Sequence, residues 1–277
     1  LIATLLIWIL GLWMGLLLVL LSNPDSIVSS STLARASVSE KLYYAGFSLS
    51  TLGVGDYKAT TDTWRIITSI AAFSGLAFIT ASVTYFLPVL SAVGLQSKLS
   101  LYINSMGRTP QLMLINSWNG KGFSSFFDNT SDLCQMLLQH SMNHHSYPVI
   151  HYFHNNTLKQ SIAPAIVLLH ETCLLLKQAV SDKTELDVLK MNMLQTTLDS
   201  YLEVIRGEFV TNASPQIKAP TPDLQQLYEA GIPLKNQEEI TRGTLNKSIQ
   251  ERRKLLSALL EADGWSWHEV YQAQDRT

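Results

Sequence analysis

Two long stretches without a charged side chain, Leu1–Pro24 and Ile66–Ser97, constrain this chain more than anything else in it. About 20 apolar residues, rising 1.5 Å each, cross a bilayer core of about 30 Å. Both runs therefore predict membrane-spanning helices, the second long enough to project past the lipid. The first lacks the basic leader and small-residue cleavage site of a signal peptide, and its apolar stretch is too long for one. No Met precedes Leu1, so upstream sequence is expected, and further spans could lie there. From Lys98 onward the charge density is that of a water-facing domain. The expected organisation is all-α: a membrane module over 1–97 and a helical domain over 98–277.

The first run contains Gly11-Leu-Trp-Met-Gly15, a spacing that lets a second helix approach closely or is simply tolerated in lipid. Asn23-Pro24-Asp25 ends that helix, and the Ser-rich stretch to Ser37 reads as an exposed loop. Ser37-Val-Ser-Glu40 has capping-box spacing, which predicts a helix through "EKLYYAGFSLS". Some 13 residues make only about 20 Å of helix, too short to cross a membrane. A short helix, a glycine-rich segment and a full span together describe a re-entrant loop, a form tolerated where backbone is buried in protein or lines water.

Thr51-Leu-Gly-Val-Gly55 follows that helix. Carbonyls that all point one way need backbone angles that side chains with a Cβ resist and glycine allows. Such carbonyls can replace the water shell of a dehydrated cation, with the Thr51 hydroxyl adding a ligand at the inner end. The negative end of the short helix favours a cation at the same place. Asp56 would set a carboxylate at the outer mouth, raising local cation concentration.

At these residues the chain resembles the potassium-channel pore module: outer helix, pore helix, T-x-G-[YF]-G-D filter, inner helix. The resemblance covers roughly residues 1–97. It implies potassium sites at the carbonyls of Thr51, Leu52, Gly53 and Val54, closed by Gly55, with potassium as permeant ion and no cofactor. It also implies a gating hinge at Gly75, which follows Gly55 by 20 residues, and Pro88 could bend the inner helix further along. Two departures stand out. Val54 replaces the filter aromatic whose ring would anchor to the pore helix, where Tyr43 and Tyr44 remain as filter support. Phe47 stands where some members carry a buried carboxylate. Selectivity for potassium and non-selective cation passage both stay open, as does a non-conducting, membrane-anchored sensor. One module per chain predicts a homotetramer, since four filter strands enclose an ion.

The second span returns the chain to the cytoplasmic side of a bacterial plasma membrane, with Lys98 and Arg108 in positive-inside positions. Thr109-Pro110 opens a helix to about Trp118, and Gly120-Lys-Gly122 makes a turn. Further helices are expected near 131–145, 161–181, 185–209, 222–230 and 236–263. Ile162–Leu176 is apolar, but Pro164, His170, Glu171 and its length favour a buried core helix over a third span. Pro215, Pro220 and Pro222 mark a candidate subdivision near 211–222. The stretches "HHSYPVIHYFHNN", "APTPDLQQLYEAGIPL" and "ERRKLLSALLEADGWSWHEV" resemble the helical tail of a group of bacterial potassium-channel-like proteins.

Five histidines, His140, His144, His145, His151 and His154, share one window. They suit plain helix packing, sensing of cytoplasmic pH, or metal binding through the i,i+4 pair His140 and His144. His170 beside Glu171 lacks a nucleophile or orienting third group at a recognisable spacing, so no enzyme is expected. A net charge of −2 gives nucleic acid nothing to grip. The expected partners are other copies of the chain, the bilayer and a cytosolic gating ligand. Cys134 and Cys173 form no disulfide framework, which suits a reducing compartment.

Overall fold

The computed structural model describes residues 2–208, 219–244 and 246–272, and these are helical apart from one two-stranded ribbon. The chain divides into two compact units, Leu1–Pro88 and Val89–Thr277. The division falls inside a helix, a few residues before the change in charge density near Lys98.

In the first unit, helix α1 (Ile2–Leu21) and helix α3 (Asp62–Met106) are both long and apolar enough to cross a membrane. Their side chains in this unit are mostly exposed, as expected where lipid is the solvent, and only Leu16 and Leu20 of α1 are buried. Between them lies helix α2 (Val38–Leu49), opened by Ser37 in a complete capping box. The Ser37 hydroxyl accepts from the Glu40 amide, and the Glu40 carboxylate accepts from the Ser37 amide at 2.6 Å.

The serine-rich stretch is an exposed loop only in part: residues 31–35 are exposed, but its beginning is ordered. It contains strand β1 (Ile27–Ser29), paired antiparallel with β2 (Tyr57–Ala59) in the register Ile27 to Ala59 and Ser29 to Tyr57. Ile27 is fully buried in a small core with Leu20, Tyr44, Phe47 and Ala59. The buried Ser26 hydroxyl donates to the Leu20 carbonyl at 2.6 Å, satisfying one open acceptor at the end of α1.

The second unit holds the remainder of α3, then α4 (Pro110–Ser117), α5 (Ser124–Asp128), α6 (Thr130–Ser146), α7 (Ile162–Gln178) and α8 (Val188–Glu208). After these come α9 (Gln225–Glu229), α10 (Gln237–Thr244), α11 (Lys247–Ala262) and α12 (Trp267–Gln272). Helix α7 is the centre: every residue from Ile162 to Leu176 is buried. Protein covers it, with α4, α8, α10, α11 and α12 all in contact, so its apolar character belongs to a core. The single helix expected over 236–263 is two, because the Asn246 side chain accepts from the Ser248 amide at 3.0 Å and starts a new helix. Helices α5 and α12 are too short to show a period in the sequence. Pro215 and most of the candidate subdivision near 211–222 lie outside the described residues.

Candidate functional site

Helix α2 and the segment after it are held from several sides of the first unit. The buried Lys41 ammonium donates to the Leu20 carbonyl at 2.9 Å and the Asn23 carbonyl at 2.7 Å. A cation there meets the negative end of α1. The Trp13 indole donates to the Leu42 carbonyl at 2.9 Å. Tyr44, buried, shares a 3.0 Å hydroxyl contact with Thr68 of α3. The Tyr57 hydroxyl donates to Glu40 at 2.6 Å, joining the ribbon to the capping box. Of these braces, the capping box is legible from the Ser37 and Glu40 spacing. Lys41, Thr68 and Tyr57 carried no spacing signal, since their partners are brought in by the ribbon and the spans.

The far end of α2 closes in a Schellman arrangement. The Leu52 amide donates to the Phe47 carbonyl at 2.9 Å, and the Thr51 amide donates to the Ser48 carbonyl at 3.1 Å. The residue that must turn left-handed in that motif is ordinarily glycine. Here it is Thr51, with φ +58°, and it shares positive φ with only one other non-glycine residue among those described, Leu33. A β-branched residue in this region is strained, and such strain gathers at functional sites.

From Thr51 the chain alternates in hand. Gly53 has φ +59° and Gly55 φ +86°, while Leu52 and Val54 between them keep negative φ. Alternation of this kind is how successive peptide planes come to face the same way. Residues 51–56 are all exposed. The segment is fixed at its other end too, where the Ser30 amide donates to the Asp56 carbonyl at 2.8 Å before β2 begins.

Tyr43 packs edge-on against Phe47 and Tyr57, with ring centroids 5.2 and 6.2 Å apart, and lies within electrostatic reach of Asp56. Gly75 sits against the last turn of α2: a Cβ there would lie 2.1 Å from the Leu49 carbonyl oxygen. Pro88 is inside α3, which runs through it without a break. A Cβ on Gly11 or Gly15 would meet nothing within 4 Å, so the close approach that their spacing permits is not used inside the chain.

In the second unit, four of the five clustered histidines form a row of rings. His140 to His144 is 4.6 Å between centroids, His144 to His151 is 6.0 Å, and His151 to His154 is 6.5 Å. The row begins in the core, with His140 stacked on Tyr201, and ends on the Asp263 carboxylate. Burial, aided by His144, holds His140 well below its ordinary value; burial and His151 push His144 down to about 4. Both shifts favour the neutral ring near pH 7. His145 is exposed. Among the described residues no group of three or more His, Cys, Asp or Glu is placed to hold a metal ion.

Glu171 is fully buried and belongs to a network that spans the domain. Arg253 donates to it through two nitrogens at 3.2 and 2.8 Å, the Tyr271 hydroxyl at 2.6 Å, and His170 Nδ1 lies 3.3 Å away. Burial alone would raise the carboxyl, but hydrogen bonding from His170 and the Arg253 charge hold it below its usual range. This arrangement keeps a carboxylate ionised and fully bonded, which is a packing role.

Residues 3–92 match the family model described as "Ion channel". The chain is also similar to an uncharacterized membrane protein, YdjJ, of Bacillus subtilis. The two are 29% identical over 274 residues, covering 98% of this chain and 78% of the relative. No solved structure matches. The two spans, the short capped helix and the glycine segment of alternating hand all lie within or beside the matched residues. The N-terminal part of the chain, residues 3–92, is therefore similar to the ion-channel family, and its two long apolar helices with a short capped helix between them suit a two-transmembrane pore module.

Proposed function

We propose that the chain assembles as a homotetramer in a bacterial plasma membrane and passes potassium down its gradient, with the C-terminal unit on the cytoplasmic side. The ion sites are the backbone carbonyls of Thr51, Leu52, Gly53 and Val54, ended by Gly55, with the Thr51 hydroxyl at the inner end. Asp56 gathers cations at the outer mouth. The observation that carries this reading is the alternation of positive φ at Thr51, Gly53 and Gly55 directly after a helix too short to cross a membrane. Carbonyls presented from four such segments would supply the oxygen cage that a dehydrated cation requires. A full assembly also gives the exposed face of 51–56 something to meet, namely its own copies.

A second reading, passage of sodium as well as potassium, is favoured by one feature. Val54, half exposed, stands where the resemblance implies an aromatic, and Tyr43 packs on Phe47 and Tyr57 instead, so the ring that would anchor the segment to α2 is replaced by a smaller side chain. Flux from proteoliposomes loaded with potassium, compared with sodium, tests both readings. Potassium-selective flux that Gly53→Ala abolishes supports the carbonyl filter. Equal passage of both ions makes it a general cation pore, and absence of flux under every condition overturns conduction.

A further inference from the structure

Helices α7, α8 and the start of α11 enclose a cavity of about 280 Å³ within the second unit. That is the size of a small ligand site. Its chemistry is uneven. Lys177 and Arg252 bring two cations, and Asp199 brings one carboxylate, which Arg252 already engages at 2.7 Å. The Lys177 ammonium donates to the Gln195 amide oxygen at 3.3 Å, and no carboxylate pairs with it among the described residues. One positive charge is thus left over on the wall.

The start of α11 adds to it. This helix has 16 residues, and the Asn246 side chain takes only the Ser248 amide of its first turn. The turn's other amides have no acceptor within the helix, and the positive end of the helix dipole lies beside the cavity. Ser248 contributes a hydroxyl to the lining.

The floor carries the most specific feature. His170 lines the cavity yet is only 7% exposed. Its Nδ1 faces the buried Glu171, leaving Nε2 as the ring nitrogen for the cavity, with no hydrogen-bond partner among the described residues. A polar atom held this way by a buried ion-pair network is a fixed, unfilled contact point.

We propose that this cavity binds a small phosphate-bearing metabolite, with the phosphate held by Lys177, Arg252 and the first turn of α11 and contacted from the floor by His170. A phosphate monoester has three acceptor oxygens and a second ionisation near pH 6. It can use more donors than a carboxylate can. It also bonds to Nε2 in either form, donating its remaining proton to the neutral ring or accepting from the charged one. The assignment does not depend on whether the pore conducts.

The test uses the full chain in detergent micelles, titrated by calorimetry with inorganic phosphate and with glycerol 3-phosphate. Acetate and chloride at matched ionic strength are the comparators. Saturable binding of one phosphate per chain is expected, tightest for the ester and at least tenfold weaker in Lys177→Gln, with Lys121→Gln unchanged. Ile249→Trp, which fills the cavity without removing a charge, should abolish it. Unfolding midpoints without ligand check that both variants are folded. Binding no better than chloride, equal binding of acetate, or phosphate binding that survives both cavity variants would overturn the proposal.

Discussion

Gly75 of α3 faces the carbonyl of Leu49 so closely that a methyl group at residue 75 would lie 2.1 Å from the oxygen. Helix α3 therefore packs on the last turn of α2, two residues before the segment of alternating hand begins at Thr51. A glycine that the resemblance marks as a hinge has a second reason to be glycine. Where its Cα hydrogen meets Leu49, the contact is of the weak C–H to carbonyl kind that recurs at close helix approaches.

Gly75→Ala separates the two roles. If close packing matters, the variant loses about 1–3 kcal/mol, seen as a lower unfolding midpoint and, on the proposed pore reading, as reduced ion discrimination. A pure hinge would leave the midpoint alone and change only the fraction of time the pore is open in single-channel recordings.

Thr51 stores strain that glycine would release. Thr51→Gly should stabilise the fold by about 1 kcal/mol, the order of the left-handed penalty for a residue with a Cβ. On the proposed reading it should also weaken discrimination between potassium and sodium, because the hydroxyl is gone. Denaturation and bi-ionic flux measure the two effects, and stability unchanged or lowered would show that the Schellman turn carries no strain at this residue.

Glu40→Ala removes the capping-box acceptor and the partner of Tyr57 together. A loss of about 1–2 kcal/mol is expected. Tyr57→Phe should account for roughly 1 kcal/mol of it, and the double variant should be no worse than Glu40→Ala. Additive losses would mean that the ribbon and the helix cap act separately.

The pH dependence of the second unit has a definite sign. In the unfolded chain His140 and His144 take up protons below about 6.5, but in the fold they stay neutral, His144 down to about 4. The unfolded state then binds more protons, so stability falls as pH drops from 6.5 towards 4, by about 1.4 kcal/mol per pH unit for each histidine. The neighbours that set this are Tyr201, His151 and, beyond His151, His154 and Asp263. His140→Phe should flatten the slope in unfolding measured from pH 7 to 4.5. An unaltered slope would place the titrating groups elsewhere.

Arg253→Met leaves Glu171 charged and buried without its main partner, at an expected cost of about 3–5 kcal/mol. Restoring an uncharged pair with Glu171→Leu in the same chain should recover most of it. Failure of the double variant to recover would mean that Tyr271 and Trp267 depend on the charges for their own placement, since the guanidinium also lies over the Trp267 ring at 5.3 Å.

Much of this was legible in the sequence wherever the cause is local. The capping box needs only Ser37 and Glu40, and α4 needs only Thr109 and Pro110, so both helices begin where the spacing puts them. The spans and the buried α7 follow from composition and length. The alternation of glycines after Thr51 predicted unusual backbone angles at that place. Contacts between distant residues were not legible. Lys41 meets Leu20 across 21 positions and Arg253 meets Glu171 across 82, and no periodicity encodes either. The ribbon was hidden because three-residue strands are too short to alternate. Gly75 shows a third case, in which the residue was singled out but its close contact with Leu49 could not be read from spacing.

Lys41 has a mechanical meaning as well as an electrostatic one. From the first turn of α2 its ammonium grips the Leu20 carbonyl at the end of α1 and the Asn23 carbonyl just beyond it, and Trp13 of α1 makes a second link to Leu42. A helix whose apolar length exceeds the local bilayer tilts to fit, and does so differently in thick and thin membranes. Any change in the tilt of α1 would therefore be felt by α2 through these hydrogen bonds, and by the segment that starts at Thr51 through the end of α2.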